Sequence, residues 1–504
     1  MDLLLNSLIS GFAIALQPIN LFYALVGAIL GTVVGVLPGI GPLGAMAILL
    51  SFTLGIDATG AMIMFAGIFY GAMYGGSTTS ILMNIPGESA SVVTCIDGYA
   101  MALKGRAGAA LTVAAVGSFV AGNISIIGLM IGAAALSSLA LMFGPPEFLA
   151  ISVCGLIILV RLSDAPLLKS VMMLLFGMAV ATVGLDILTG VERFTFGSYE
   201  LGQGIDFMPV AMGLFGITEV MFVTCKRRDA HSQIKSVKLR ELFPTREEWR
   251  RSVFPILRGS GLGFMIGLIP GPSRTISSFV SYMAEKKLSK HPEEFGHGAI
   301  EGVAGPEAAN NAAVGGGYVP LMALGIPFSP AMALILAVLL LHNITPGPSM
   351  IRENPDLFWG VIASMYVGNL MLLVLNLPLV GVFVQIMRIP TPLLMPIIIV
   401  LCWVGVFSVN NSYPDLLLMA IFGVLGFLAY ELEFEPAPLV LAMVLGPMIE
   451  TSLRQSLKLM GGSVGAVVTR PICLTIYLAT ALLILWPYML QLLRKGGLLK
   501  GQQV

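Results

Sequence analysis

Gly35-Val36-Leu37-Pro38-Gly39 recurs as Gly267-Leu268-Ile269-Pro270-Gly271, and Gly75-Gly76 followed by Ile85-Pro86 recurs as Gly316-Gly317 followed by Ile326-Pro327. Proline removes a backbone donor and clashes with the preceding turn, while glycine accepts angles that other residues resist. Apolar helices carrying Pro38, Gly39, Pro86, Pro270, Gly271 and Pro327 at these places are expected to break there. In hydrocarbon the freed amides and carbonyls are costly, so such breaks persist only inside protein or beside a wet cavity. Matching breaks in two halves of one apolar chain point to a central solute site.

The register between the halves holds beyond the breaks. An offset of 246 residues relates Gly122-Asn123 to Gly368-Asn369, Pro146 to Pro392 and Phe176-Gly177 to Phe422-Gly423. The solvent follows from composition. Of 504 residues, 57% are hydrophobic and 11% charged, against roughly 25% charged in soluble domains. Residues 3–56, 107–146, 389–414 and 471–493 carry no charge, and about 20 apolar residues cross a bilayer. The sequence therefore predicts an all-α polytopic membrane protein of about a dozen helices in two repeats, with broken or re-entrant helices at a central site. Its divisions are an N-terminal segment and first repeat over 1–225, a cytoplasmic linker over 226–251, a second repeat over 252–470, and a final transmembrane helix and tail over 471–504.

Charge orients these pieces. The linker holds Lys226, Arg227, Arg228, Lys235, Lys238, Arg240, Arg246, Arg250 and Arg251, which places it in the cytoplasm. Counting spans back puts Arg161 and Lys169 inside too. The corresponding turn of the second half, 408–414, has no basic residue, while Arg388 and the tail basic residues Arg494, Lys495 and Lys500 read as cytoplasmic. Equivalent loops thus fall on opposite sides, as an inverted repeat requires. Arg454, Lys458 and Arg470 then land outside, against the rule, and a re-entrant final segment is the alternative. The balance of 27 basic and 27 acidic residues offers no surface for nucleic acid. Five scattered cysteines lack metal-ligand spacing and read as packing residues.

Two motifs carry the chemistry. Tyr74-Gly75-Gly76-Ser77-Thr78-Thr79-Ser80-Ile81-Leu82-Met83-Asn84-Ile85-Pro86-Gly87-Glu88-Ser89 sets four hydroxyls, an amide and a break inside an apolar protein. A helix starting near Gly87 would offer free amides and a positive dipole end to a carboxylate, helped by Ser89. Oxygens of Ser77, Thr78, Asn84 and Asn310 are candidate ligands for sodium. Alternatively, the hydroxyls bond back to their own helix. In the second half, Arg274 follows the first break and suits a carboxylate, or snorkels at the interface. Asn310 and Asn311 precede a glycine triplet and supply donors and acceptors without fixed charge. The ladder Gly27, Gly31, Gly35 reads as helix packing.

The stretch from GVLPGIGPLGAMAILLSF (35–52) through YGGSTTSILMNIPGESASVV (74–93), with GPEAANNAAVGGGYVPLMALGIPFSP (305–330) and HNITPGP (342–348), resembles the large membrane subunit of tripartite tricarboxylate transporters. The resemblance implies a bacterial inner-membrane, multi-pass importer of small organic acids. It also implies two partners, a small membrane subunit and a periplasmic solute-binding protein, and a cation gradient as the driving force. Site roles carry over to Ser77, Thr78, Thr79, Asn84, Ser89, Asn310 and Asn311. No phosphate-binding loop of the P-loop type is present, so no cofactor is expected beyond a coupling ion, sodium or proton. The hydroxyls and amides tilt the expectation to sodium, while Glu88 and Glu307 keep protons in play.

Other classes fit less well. An intramembrane enzyme acting on an anion needs clustered acids, histidines or a metal set, whereas Asp57, Glu88, Asp97, Asp164 and Glu219 are dispersed. A channel is normally lined by a ring from identical subunits. Two matched broken motifs in one chain favour alternating access instead.

Overall fold

A computed structural model describes residues 2–37, 42–140, 143–162, 165–186, 189–225, 242–386 and 391–495. The expected break at Pro38 and Gly39, residues 226–241 of the linker and the tail beyond 495 lie outside the described residues. The first half comprises α1 (Asp2–Ala15), α2 (Pro18–Val36), α3 (Pro42–Leu50), α4 (Ala58–Met83), α5 (Val92–Leu103), α6 (Ala107–Ala140), α7 (Pro145–Leu162), α8 (Leu167–Ala181) and α9 (Phe207–Cys225), the last with a π-helical middle. The second half comprises α10 (Arg246–Gly267), α11 (Ser273–Leu288), α12 (Glu301–Leu324), α13 (Pro330–Leu341), α14 (Pro355–Asn376), α15 (Thr391–Asn410), α16 (Tyr413–Glu431) and α17 (Ala437–Leu459), followed by α18 (Pro471–Lys495). Among the described residues seven helices are long and apolar enough to cross a membrane, and seven shorter apolar helices accompany them. The one departure from all-α character there is a two-residue ribbon pairing Gly184–Leu185 with Glu192–Arg193. Helix α10 starts at Arg246, inside the span assigned to the linker, because Thr245 and Glu248 form a capping box there.

Corresponding helices pack reciprocally. Helix α2 lies along α4, and α10 along α12; α6 packs on α12, and α14 on α4; α8 packs on α17, and α16 on α9. The two central helices α4 and α12 cross in opposite directions. Ser77 meets Glu307, whereas Tyr70, two turns earlier on α4, faces Gly315, two turns later on α12.

Glycines permit this closeness. A Cβ on Gly75 would sit 2.8 Å from the Gly35 Cα, and one on Gly316 would sit 2.9 Å from the Gly267 Cα. The paired glycines therefore do not break their helices: α4 and α12 run uninterrupted through Gly75-Gly76 and Gly315-Gly316-Gly317. The actual interruptions come later, where Asn84 (φ 58°) and Gly325 (φ 73°) end the two helices in the left-handed conformation. These two residues are separated by 241, the same offset as the glycine pairs.

Polar clasps tie the two halves at one end, Arg106 pairing with Glu248. Within the second half, Arg251 pairs with Glu294 (2.5 Å) and Glu301 (2.8 Å). The Arg251 hydrogen bond holds the Glu294 carboxyl below its usual range. That contact is therefore complete above the ordinary carboxylate range and is lost as pH falls through the depressed value. Asp97 of α5, fully buried, accepts backbone N–H bonds from Gly296 (2.9 Å), Gly298 (2.7 Å) and Ala299 (2.9 Å) and the Tyr282 hydroxyl (2.9 Å). Asp97→Asn turns an amide toward these donors and is expected to lose about 1–3 kcal/mol of stability. Thermal unfolding in detergent reads this out, and an unchanged midpoint would refute it.

Candidate functional site

The hairpin after α4, the start of α11 and the middle of α12 bring polar side chains from both halves together. The Arg274 guanidinium donates from Nη1 to Glu88 Oε2 at 2.6 Å, and Asn310 Nδ2 donates to Glu88 Oε1 at 2.9 Å. Arg274 also lies over the Phe69 ring, 5.0 Å from its centroid, which fixes the plane of the fork. Glu88 is 4% and Arg274 18% exposed in their side chains. Beside them the Ser89 and Thr275 hydroxyls are 2.9 Å apart. A deeper cluster lies on α4, α5 and α12. Ser77 Oγ is 2.5 Å from Glu307 Oε2, the Thr94 hydroxyl contacts the other carboxyl oxygen, and Asn311 Nδ2 donates to Ser118 Oγ at 2.7 Å. The amide oxygens Oδ1 of Asn310 and Asn311 are buried and accept no hydrogen bond among the described residues. Unpaired buried acceptors are costly, so this cluster retains capacity for a ligand.

The expected residues are distributed as follows. Ser77, Asn310 and Arg274 converge on the two carboxyl groups, and Asn311 and Ser89 flank them. Thr78 and Thr79 donate to the carbonyls of Tyr74 (3.3 Å) and Gly76 (2.9 Å), as does Ser80 to Gly76 (2.9 Å); helical back-bonding reaches all four hydroxyls, Ser77 lying 3.0 Å from the Met73 carbonyl, and Ser77 alone of the four also meets a carboxyl group. Two expectations require correction. The helix expected near Gly87 starts two residues on and not with Gly87 itself: a 3-10 turn over Ser89–Ser91, with Glu88 as N-cap, runs into α5 at Val92. Gly87 packs between α4 and α2, where a Cβ would come 2.9 Å from Thr79 Oγ1 and 2.6 Å from the Gly35 carbonyl oxygen. The tentative sodium set is not assembled either. Asn84 is exposed at the α4 C-cap, seven residues or about 10 Å along the helix from Ser77, because its left-handed backbone serves helix termination.

The breaks of the second half touch each other. Gly271, with φ 122°, donates its N–H to the Phe328 carbonyl next to Pro327 at 3.0 Å, and Pro270 precedes that turn. Pro86 lies in the hairpin between Asn84 and Glu88.

Glu88 and Glu307, read from the sequence as groups for proton coupling, stood outside the expected substrate-binding set, and Thr94 and Ser118 escaped the sequence reading altogether. The two acids carried a signal, being the charges inside otherwise uncharged motifs. Thr94 and Ser118 carried none, since single hydroxyls are common in membrane helices.

Residues 21–441 match the family described as "Tripartite tricarboxylate transporter TctA family". An Agrobacterium vitis protein named "Uncharacterized 52.8 kDa protein in TAR-I ttuC' 3'region" is 49% identical over 490 residues, covering 97% of both chains. A second protein from that organism, "Uncharacterized protein in TAR-II ttuC' 3'region", is 49% identical over 210 residues, 42% of this chain and 87% of its own. No solved structure matches.

Proposed function

Because the chain belongs to the tripartite tricarboxylate transporter TctA family, a transporter-subunit family and not an enzyme family, we propose that it is the large permease subunit of a cation-coupled importer of a small organic di- or tricarboxylate in the bacterial inner membrane. Its partners on this reading are a small membrane subunit and a periplasmic solute-binding protein that delivers the acid to the outer face.

One observation carries the site assignment: Arg274, Asn310 and Ser77, from two halves of the chain, converge on two buried carboxyl groups, Glu88 in the hairpin after α4 and Glu307 within α12. Donors already arranged around the protein's own carboxylates suit a carboxylate substrate, and a guanidinium binds one in a fork. The opposite run of α4 and α12 supports inverted halves. In that architecture a solute site lies where the repeats meet, and rigid movement of one part exposes it alternately. Buried carboxyls with hydroxyl neighbours, and amide oxygens lacking donors, support the reading that a coupling ion binds here; proton and sodium both suit oxygen groups of this kind.

The test is uptake by proteoliposomes containing the permease, the small subunit and the binding protein. Lactate, succinate and citrate are offered under an imposed sodium or proton gradient. Concentrative uptake of a di- or tricarboxylate under one of these gradients is expected, and equilibration without accumulation of all three would overturn the reading. Ser77→Ala and Asn311→Ala should each lower uptake while leaving the amount of inserted protein unchanged; full activity in both variants would remove them from the site.

A further inference from the structure

We infer that Glu88 is the internal counter-anion of the empty carrier: its carboxylate occupies, on Arg274 and Asn310, the place that a substrate carboxylate takes when the site is loaded. The inference rests on the transport reading above and adds a role for a residue outside the expected binding set.

The contacts motivate it directly. Both oxygens of Glu88 are held, one by the Arg274 guanidinium at 2.6 Å and the other by the Asn310 amide at 2.9 Å. These two groups were expected to meet substrate, and the chain meets them with a carboxylate of its own. Glu88 comes from the non-helical hairpin between α4 and α5, while Arg274 and Asn310 belong to the other half. The pair is therefore a contact between the repeats. Only one nitrogen of the Arg274 fork makes a hydrogen bond to Glu88, the other contact of that nitrogen being the Met73 sulfur at 3.1 Å. A bidentate carboxylate uses the fork more fully, so an arriving substrate can compete with Glu88.

Charge accounting supplies the mechanism. A guanidinium without a partner is expensive in a bilayer interior, and so is a carboxylate left behind by its cation. A carrier must return empty after each delivery. With Glu88 in place the empty site keeps Arg274 neutralised during that return; with substrate bound, the substrate does so, and Glu88 turns toward the partly exposed hairpin. Exchange of one substrate for another never requires the empty form, whereas net uptake requires it in every cycle.

Glu88→Gln separates the two. In proteoliposomes holding the complete three-component system, labelled citrate or succinate is followed in two modes: exchange against the same unlabelled acid, and net uptake into empty vesicles. The variant is expected to lose net uptake by a much larger factor than exchange, net uptake falling to the level of protein-free liposomes, and Glu88→Asp should restore part of net uptake. Equal retention of both modes in Glu88→Gln, or equal loss of both with the protein correctly inserted, would overturn the assignment. Should Glu88→Gln fail to insert, Glu88→Asp carries the test alone, with net uptake reduced more than exchange as the expected result and equal change in both as the contrary one. Absence of both exchange and net uptake in the wild-type system would instead sink the transport reading itself, and net uptake without exchange would overturn the assignment of Glu88.

Discussion

Arg274→Gln is expected to reduce carboxylate uptake, in exchange and net modes alike, to the level of protein-free liposomes. Arg274 is the cation paired with Glu88 among the described residues, at 2.6 Å with little solvent on either side chain. Removing it withdraws the fork that would hold substrate and leaves a buried carboxylate supported by the Asn310 amide alone. Loss of one partner from a buried pair costs about 3–5 kcal/mol, so a lower unfolding temperature in detergent should accompany the loss of transport. Arg274→Lys keeps the charge and loses the fork; it should regain stability before it regains uptake. Wild-type transport by Arg274→Gln would show that the guanidinium serves only the surface.

An effect of similar size is expected from Gly31→Leu and Gly263→Leu, through the fold instead of the site. A Cβ on Gly31 would lie 2.8 Å from the Ile68 Cα, and one on Gly263 would lie 2.7 Å from the Ala309 Cα. In both cases the obstacle is backbone, which no rotamer change relieves. Overpacking a core typically costs about 1–3 kcal/mol where side chains can shift, and here the paired helices must separate. Each variant should fail to give a monodisperse, folded protein in detergent. Gly261 on the same helix as Gly263 has nothing within 4 Å of its Cβ position, so Gly261→Leu serves as the control and should purify like wild type. Normal purification of Gly31→Leu would contradict the α2–α4 packing, and of Gly263→Leu the α10–α12 packing.

Much of this architecture was legible in the chain. The offsets marked two glycine-bearing crossings, α2 on α4 and α10 on α12, because glycine at a backbone crossing has no substitute of equal size. The ladder Gly27, Gly31, Gly35 read as packing and packs so, against Met64, Ile68 and Ala72. The glycine clusters Gly75-Gly76 and Gly315-Gly316-Gly317 marked the matching motifs without a role of their own; a glycine cluster admits both a break and a close approach, and only the facing helix decides between them. Composition could not reveal that α2 and α10 lie there.

The candidate site was legible by region and not by contact. Ser77, Arg274, Asn310 and Asn311 stood out as polar groups in apolar surroundings, and all four lie at or beside the two carboxyl groups. Asn84 stood out equally, but its use is the left-handed helix end that its short polar side chain tolerates. Glu88 read as a group for proton coupling. Its partner, 186 residues away in the chain, becomes visible only when the two halves are folded together.

The most direct test of the central claim, that substrate lies where the hairpin of the first half meets the α11 start of the second, is substrate protection of a thiol placed there. Ser89 is exposed and contacts Thr275, so Ser89→Cys, in a background lacking the five native cysteines, gives a reporter for alkylation by a small maleimide. The transported carboxylate is expected to slow alkylation at that position, and the slowing should vanish when Arg274→Gln is added. An alkylation rate at position 89 that is indifferent to saturating substrate would place the solute elsewhere in the protein.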